Sequence, residues 1–457
     1  ASDGVRVWIN NKIIINDWNT HSKPVTDKGT ASLKSGQAAA IRAEYFDNKD
    51  VASISLSWSS STLAKQIVPN ADLTPTTDPL LARIDSTLGF ARTQLNTTLA
   101  AMKGNTKTFP FYTNPNGTWV TSNVGNWTAG FFASEMWQMY SRTNDPTWKT
   151  DATTWTLPLS VDQTFTDDLT FRIFNAYYPM YEATGNAAYK QVIINAAASR
   201  VSTWNATVGA FSSVGVASHS GNPQADFGVL MDHMMDCSLV LWAAKQTGNK
   251  TWTAEALQHA RTVAKDFFRA NGSVYQWGYF DKATGKFVSG ENYQGYSDSS
   301  AWARAQAWAI YSFSVVYRET GASDMLADAR RAADYFIGHL PSDKIPYWDF
   351  NAPGIPTPFR DTSAAAIAAS GLIMLSRLNT DATAASKYMT AGKSILTSLL
   401  SSTYLAKGTT SEGILQHGAW FVPPPENNGD ASLVWGDYYL LEAMNEYMGM
   451  PHALPGT

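Results

Sequence analysis

A carboxylate set among methionines is the first chemical oddity of this chain. Asp232 lies in Leu230-Met231-Asp232-His233-Met234-Met235-Asp236, directly after Val229. An acid in such surroundings costs free energy unless it is paired or used. Desolvation raises its pKa, which suits a proton donor. A second acidic run, Thr166-Asp167-Asp168-Leu169-Thr170-Phe171, reads as a helix start, where acids in the first turn complement the dipole. Neighbours on a helix point about 100° apart, so only one of the two can squarely face a common mouth. Arg304 lies in Ala301-Trp302-Ala303-Arg304-Ala305-Gln306-Ala307-Trp308. An obligate cation there needs an anion: an internal salt bridge to Asp298 or Asp168, or a bidentate clamp on a sugar carboxylate. Trp127 and Trp308 read either as core or as platforms for stacking on sugar rings.

The elements that would position these groups repeat. Tyr181-Glu182-Ala183-Thr184-Gly185-Asn186 is echoed at Lys245-Gln246-Thr247-Gly248-Asn249 and at Tyr317-Arg318-Glu319-Thr320-Gly321. Weaker echoes begin at Ser141 and Leu378. Each ends an apolar helix and begins an amphipathic one, with Gly suited to a helix C-terminus and Asn, Ser or Asp to the next cap. The spacing predicts apolar helices starting near Asn126, Asp167, Gly228, Ser299, Asp361 and Asp430. More polar partners start near Asp78, Asp145, Asn186, Thr251, Ser323 and Asp381. Buried helices alternating with half-exposed ones imply two concentric rings, an all-α (α/α)6 barrel over residues 78–450, with an open solenoid as the alternative. The loops before the inner helices would surround one mouth, where the acids above sit.

Residues 1–75 read as a separate all-β module. Val5-Arg6-Val7-Trp8-Ile9 and Lys12-Ile13-Ile14-Ile15 form a hairpin pattern, and residues 40–46 and 54–58 read as further strands.

Composition narrows the function. With net charge −4 there is no basic surplus for phosphate backbones, so nucleic acid is excluded as a partner. No apolar run is long enough to span a membrane. Cys237 is the single cysteine, which rules out an intrachain disulfide and a cysteine-based metal site. With no Cys/His ligand cluster, neither a metal nor an organic cofactor is expected. Sequons at Asn96, Asn116, Asn126, Asn205, Asn249 and Asn271, and a start at Ala1 without a signal-like segment, read as a mature secreted glycoprotein.

Two resemblances follow. Asp3-Gly4-Val5-Arg6-Val7-Trp8-Ile9, Ile15-Asn16-Asp17-Trp18, Arg42-Ala43-Glu44-Tyr45-Phe46 and Leu56-Ser57-Trp58 resemble the second half of a protective-antigen-type (PA14-like) β-sandwich. From about residue 78 the chain looks like the unsaturated glucuronyl hydrolases, glycoside hydrolase family 88. The residues that carry this include Asn126-Trp127-Thr128-Ala129-Gly130-Phe131-Phe132, Asp168-Leu169-Thr170-Phe171, Asp232, and Tyr293-Gln294-Gly295-Tyr296-Ser297-Asp298 with Trp302 to Trp308. Pro346 to Pro353, Arg360-Asp361-Thr362 and Val434-Trp435-Gly436-Asp437 add to it. The resemblance implies an oligosaccharide substrate left by a polysaccharide lyase, with a C4=C5 double bond in its terminal uronic acid. It implies protonation at C4 and water addition at C5, unlike the two-carboxylate scheme of ordinary glycosidases. By motif, Asp232 is then general acid and base, Asp168 assists, and Trp127, Asn205, Gln294, Arg304 and Trp308 line the sugar site. The chain departs from the pattern at Asp167 and Gln276, where the resemblance implies histidines, which places substrate preference rather than reaction type in question. The alternatives are an unsaturated rhamnogalacturonyl hydrolase acting on pectin fragments, a non-catalytic glycan-binding protein, and an ordinary inverting glycosidase.

Overall fold

Short connections on one side of the molecule and long ones on the other decide where a site can form. In this computed structural model, the described residues are 3–450, apart from 11, 22, 35–37, 47–53, 75–77, 214–216 and 425–427. Residues 75–77, at the junction between the β region and the helices, therefore lie outside them. Twelve α-helices are present among these residues: α1 (Pro79–Met102), α2 (Ala129–Thr143), α3 (Pro146–Thr156), α4 (Asn175–Thr184), α5 (Ala187–Val201), α6 (Asp236–Thr247), α7 (Lys250–Phe267), α8 (Ala303–Thr320), α9 (Ser323–Gly338), α10 (Thr362–Leu378), α11 (Ala382–Leu399) and α12 (Val434–Tyr447). The even-numbered helices form the inner ring, which closes where α12 packs on α2. They are buried nearly all round, as along Thr362–Ser376 of α10 and all of α12. The odd-numbered helices bury one stripe; on α9 this is Met325, Leu326, Ala329, Ala332, Ala333, Tyr335 and Phe336. This is the (α/α)6 barrel, and its helix starts fall close to those read from the repeats.

The repeats work through backbone geometry. Gly185, Gly248 and Gly321 each take a left-handed conformation and donate their N–H groups to Tyr181, Ala244 and Tyr317, closing α4, α6 and α8. Asn186, Asn249, Asp145 and Asp381 then cap α5, α7, α3 and α11 through their side chains. Inner-to-outer links are thereby only two or three residues long. The outer-to-inner links are long and carry β-hairpins that the helical periodicity does not announce.

The strands are β1 (Val5–Ile9), β2 (Lys12–Asp17), β3 (Ile41–Tyr45), β4 (Ser57–Trp58), β5 (Gln66–Ile67), β6 (Thr108–Thr113), β7 (Trp119–Asn123), β8 (Trp204–Asn205), β9 (Ala210–Phe211), β10 (Phe227–Leu230), β11 (Trp277–Phe280) and β12 (Phe287–Glu291). Strands β6–β7, β8–β9 and β10–β11–β12 sit in the long links. One expectation is corrected here: Gly228 does not begin a helix but lies within β10, and the third inner helix is preceded by a 3-10 turn, Asp232–Met235. The strand expected at 54–58 shortens to β4, paired with β5.

The N-terminal sheet, in order β2-β1-β3, docks on the side with the short links. Trp8 is 1% exposed and its indole N–H donates to the Gly449 carbonyl at 2.8 Å, just beyond α12. Arg6 donates to the carbonyls of Arg142 and Ser141 at 2.6 and 3.2 Å, at the end of α2. Arg142 in turn grips Glu44 of β3 with both guanidinium nitrogens at 2.7 and 3.2 Å. The module thus covers the C-terminal ends of two inner helices, opposite the mouth where the acids lie. Trp8→Ala is expected to lower stability by about 3–5 kcal/mol, the usual loss for a buried Trp. A chain beginning at Asp78 that still folds by circular dichroism is expected to keep turnover. Loss of all turnover in that folded, shortened chain would place the module in the site.

Candidate active site

The second inner helix enters through an unusual turn, and that turn aims the first acid. Asp168 adopts φ +55°, a left-handed conformation that Asp tolerates better than most residues. Its carbonyl accepts from the Arg172 N–H at 2.9 Å, and Thr170–Phe174 wind as a π-helical turn before α4 begins. Such turns are frequent at functional sites. The first N–H of the turn, Thr170, donates to Asp236 at 2.8 Å, and Asp236 pairs with Arg200 at 3.2 Å. Arg200, from α5, also holds the carbonyls of Thr166 and Ser212 at 3.0 and 2.6 Å, so one buried guanidinium ties down both loops at the mouth. Gly130 of α2 lets this turn come close: a Cβ there would lie 2.0 Å from the Phe171 carbonyl oxygen.

His233 meets Asp168 from the next inner element. Its Nε2 is 3.2 Å from Asp168 Oδ1, its Nδ1 is 2.6 Å from Ser213 Oγ, and Asp167 Oδ2 is 4.0 Å from Nδ1. Burial alone would raise the Asp168 pKa, but His233, Arg172 and Arg200 outweigh it and hold the carboxyl below its ordinary value. The expected cause, a helix dipole acting on a first-turn acid, is corrected: Asp168 precedes the helical turn, and the imidazole holds its charge.

Asp232 shows the opposite behaviour. Burial pushes its pKa up to about 7, against the lowering fields of Arg304 and His233 and with the raising field of Asp168. Its Oδ1 is buried without a hydrogen-bond partner among the described residues. A carboxyl with its pKa raised to about 7 beside one held below its ordinary value is the arrangement expected of a proton donor and its anionic partner.

Of the expected sugar-site residues, Gln294 and Trp127 lie at the mouth and are partly exposed. Gln294 Nε2 donates to the Trp420 carbonyl at 3.1 Å and its Oε1 accepts from Gln276 Nε2 at 2.7 Å. Trp127 packs edge-on to Phe171 and obliquely on Trp435, with ring centroids 5.6 and 4.9 Å apart. Three expectations change. Arg304 does form an internal salt bridge, but to Asp361 at 2.8 Å; Asp168 is held by His233, and Asp298 accepts from the Asn292 N–H. Arg304 also donates to the carbonyls of Ala419 and Trp420 at 2.7 and 2.8 Å and lies over the Trp302 ring, so its fork is occupied by the protein. Trp308 is fully buried beneath Phe171 and Tyr439, which makes it part of the floor rather than a stacking surface. Asn205 lies in β8, where its Oδ1 accepts from the N–H groups of Thr207 and Val208 at 2.8 and 2.9 Å. Its amide oxygen thus holds the hairpin turn.

Sequence reasoning missed His233, Asp236, Arg200, Asp361, Trp420 and Trp435. The signal for His233 was present, a second titratable group beside Asp232 in an apolar run. Arg200 gave none, and Asp361 stood in a family-like motif with nothing to mark its partner, because these partners lie 36 and 57 positions away. Among the described residues, no group of three or more His, Cys, Asp or Glu side chains is arranged to hold a metal ion.

Comparison with known proteins agrees with this geometry. Residues 98–343 match Glycosyl Hydrolase Family 88, and residues 1–72 match the PA14 domain. The unsaturated glucuronyl hydrolase of Formosa agariphila is 35% identical over 329 residues, covering 70% of this chain and 79% of that protein. A solved unsaturated glucuronyl hydrolase specific for heparin superposes with a TM-score of 0.74 at 33% identity, over 80% of this chain and 97% of that one. A structure designated UGL, with dGlcA-Glc-Rha-Glc, gives 0.72 at 27% identity, over 79% and 95%. The barrel and these matches agree: the chain belongs to glycoside hydrolase family 88.

Proposed function

We propose that this enzyme removes the terminal unsaturated uronic acid from oligosaccharides left by polysaccharide lyases, by hydrating the C4=C5 vinyl ether. The observation that carries the reading is the pair of carboxyls at one mouth with opposite pKa shifts, Asp232 raised and Asp168 lowered. The Asp232 carboxyl gives its proton to C4, positive charge develops at C5 beside the ring oxygen, and water adds there. The Asp232 carboxylate then takes the water's proton, and the hemiketal at C5 falls apart to release the next sugar. Asp168 stays ionised and faces the developing positive charge. Trp127 and Gln294 supply a stacking face and an amide at the opening. Arg304 acts through its field on Asp232 and by fixing the Ala419–Trp420 segment. Extracellular location is part of the proposal and rests on the sequons. Asn96, Asn116 and Asn271 are exposed, whereas Asn126 and Asn205 are half-buried with their side-chain oxygens bonded to nearby N–H groups. Peptide mapping of secreted enzyme is expected to find glycans among the first three and none on Asn126 or Asn205.

The direct test is loss of the double-bond ultraviolet absorbance on incubation with unsaturated disaccharides; no loss across hyaluronan, chondroitin, xanthan, gellan and pectin products would reject the reading. Asp232→Asn is expected to lose roughly 100- to 10,000-fold in kcat while still binding substrate. Its melting temperature should hold or rise near neutral pH. The raised pKa means that ionising Asp232 is a penalty on the folded state, absent below the unfolded value and complete above about 7. Retention of more than about a tenth of kcat would overturn the assignment. The wild-type kcat should fall on the alkaline side as Asp232 loses its proton. Arg304→Lys keeps the charge but loses the fork, leaving buried carbonyls without donors, so a stability loss of at least about 2 kcal/mol is expected in denaturant melts. Unchanged stability with a raised KM would instead restore the clamp on substrate.

A further inference from the structure

We propose that His233 is a positioning residue that holds Asp168 ionised and oriented, and that its protonation state sets the pH range of turnover. The inference rests on the acid–base roles given above to Asp232 and Asp168.

The geometry allows the ring to titrate without moving. With Asp168 accepting, Nε2 carries a hydrogen in both charge states. Nδ1 faces the Ser213 hydroxyl at 2.6 Å, and that oxygen also accepts from the Leu230 N–H at 3.1 Å. A hydroxyl both donates and accepts. When the imidazole is neutral, Ser213 donates to Nδ1; when it is cationic, Nδ1–H donates to Ser213. Gaining or losing the second proton therefore breaks neither contact and changes only the field on the two acids.

The surroundings favour the cation. Asp167 and Asp168 face the ring from the loop before α4, and Asp232 and Asp236 flank it on its own element. Against them stand Arg200 of α5 and His259 of α7. His259 Nδ1 accepts from the Phe211 N–H at 3.2 Å, and burial holds its pKa well below the ordinary value, so it adds no charge. Burial also lowers the His233 pKa, but Asp168 and Asp167 outweigh it and the net shift is upward. In its protonated form the ring stabilises the Asp168 anion and restrains the rise of Asp232.

His233→Gln tests this, because an amide N–H reaches Asp168 without the charge. Removing a positive charge raises the pKa of both acids. Both limbs of the kcat–pH profile are therefore expected to move to higher pH, by about one unit, a tenfold change in protonated fraction. Ser213→Ala keeps the charge and should move the limbs less. A folded His233→Gln enzyme with an unmoved profile, even with a lowered melting temperature, would show a merely structural histidine and overturn the proposal. Should that variant not fold, ring-labelled histidine NMR decides. The buried imidazole should titrate above its ordinary value in the wild type and lower in Asp168→Asn, and no fall would overturn the coupling. If Asp232→Asn and Asp168→Asn are both active, the acid–base reading fails; if both are inactive while His233→Gln keeps the wild-type profile, this inference alone fails.

Discussion

Asp168 can be an anion at the mouth of an apolar ring because an imidazole lies 3.2 Å from it. Burial raises the pKa of a carboxyl in such a place, as it does for Asp232. Much of the local architecture serves that one contact. The left-handed turn at Asp168 points the carboxyl across the ring, and the π-turn that follows is fixed by the Thr170 N–H on Asp236. Arg200 supplies the cation for Asp236 and bonds the carbonyls on either side of the mouth. Ser213, on one of these tied segments, fixes the far nitrogen of His233. Loosening any of these would leave a buried charge without its partner, which costs far more than an exposed one.

The second acid is defined by what it lacks. Arg304 exerts the strongest opposing field on it, yet its guanidinium is engaged by Asp361 and two backbone carbonyls. It acts on Asp232 through its field alone, and desolvation prevails. The same buried cation explains why the Trp420 segment can carry part of the opening: Arg304 and Gln294 both donate to the Trp420 carbonyl, so a loop residue is fixed from two sides. Two carboxyls with diverging environments result, one with its pKa raised and one with its pKa lowered, which is the difference the proposed division of work uses.

The helical frame was legible in the sequence because its signals are local. A glycine after an apolar stretch and an Asn or Asp cap behind it act within a few residues of chain, and Gly185-Asn186 and Gly248-Asn249 behave in the structure as their types require. The acids were legible because Asp232 contradicts its surroundings. What was not legible depends on contacts across the ring. Nothing near Arg304 in sequence points to Asp361, and Trp308 and Trp127 look alike on paper although one is fully buried and the other half open. Strand β10 escaped for the same reason, since it pairs with β11 across the 46 residues between Leu230 and Trp277. Asn205 matched a motif, yet its side-chain oxygen serves a turn.

The departure at Gln276 places a side chain that does not titrate beside the mouth. Its Oε1 accepts from the N–H groups of both Tyr293 and Gln294, and its Nε2 donates to Gln294 Oε1. A single ring nitrogen could not replace an oxygen that accepts two N–H groups while its neighbour donates, whereas an amide does both and never titrates. The Gln276 carbonyl also accepts from the Met231 N–H at 2.8 Å, immediately before Asp232. The bonds of Gln276 on this arm are thus made by groups whose charge does not change with pH, while the carboxylates of Asp298 and Asp349 accept from the Asn292 and Tyr296 N–H groups. A protonation event at Asp168, His233 or Asp232 leaves these Gln276 bonds in place, since none of them involves a titrating group.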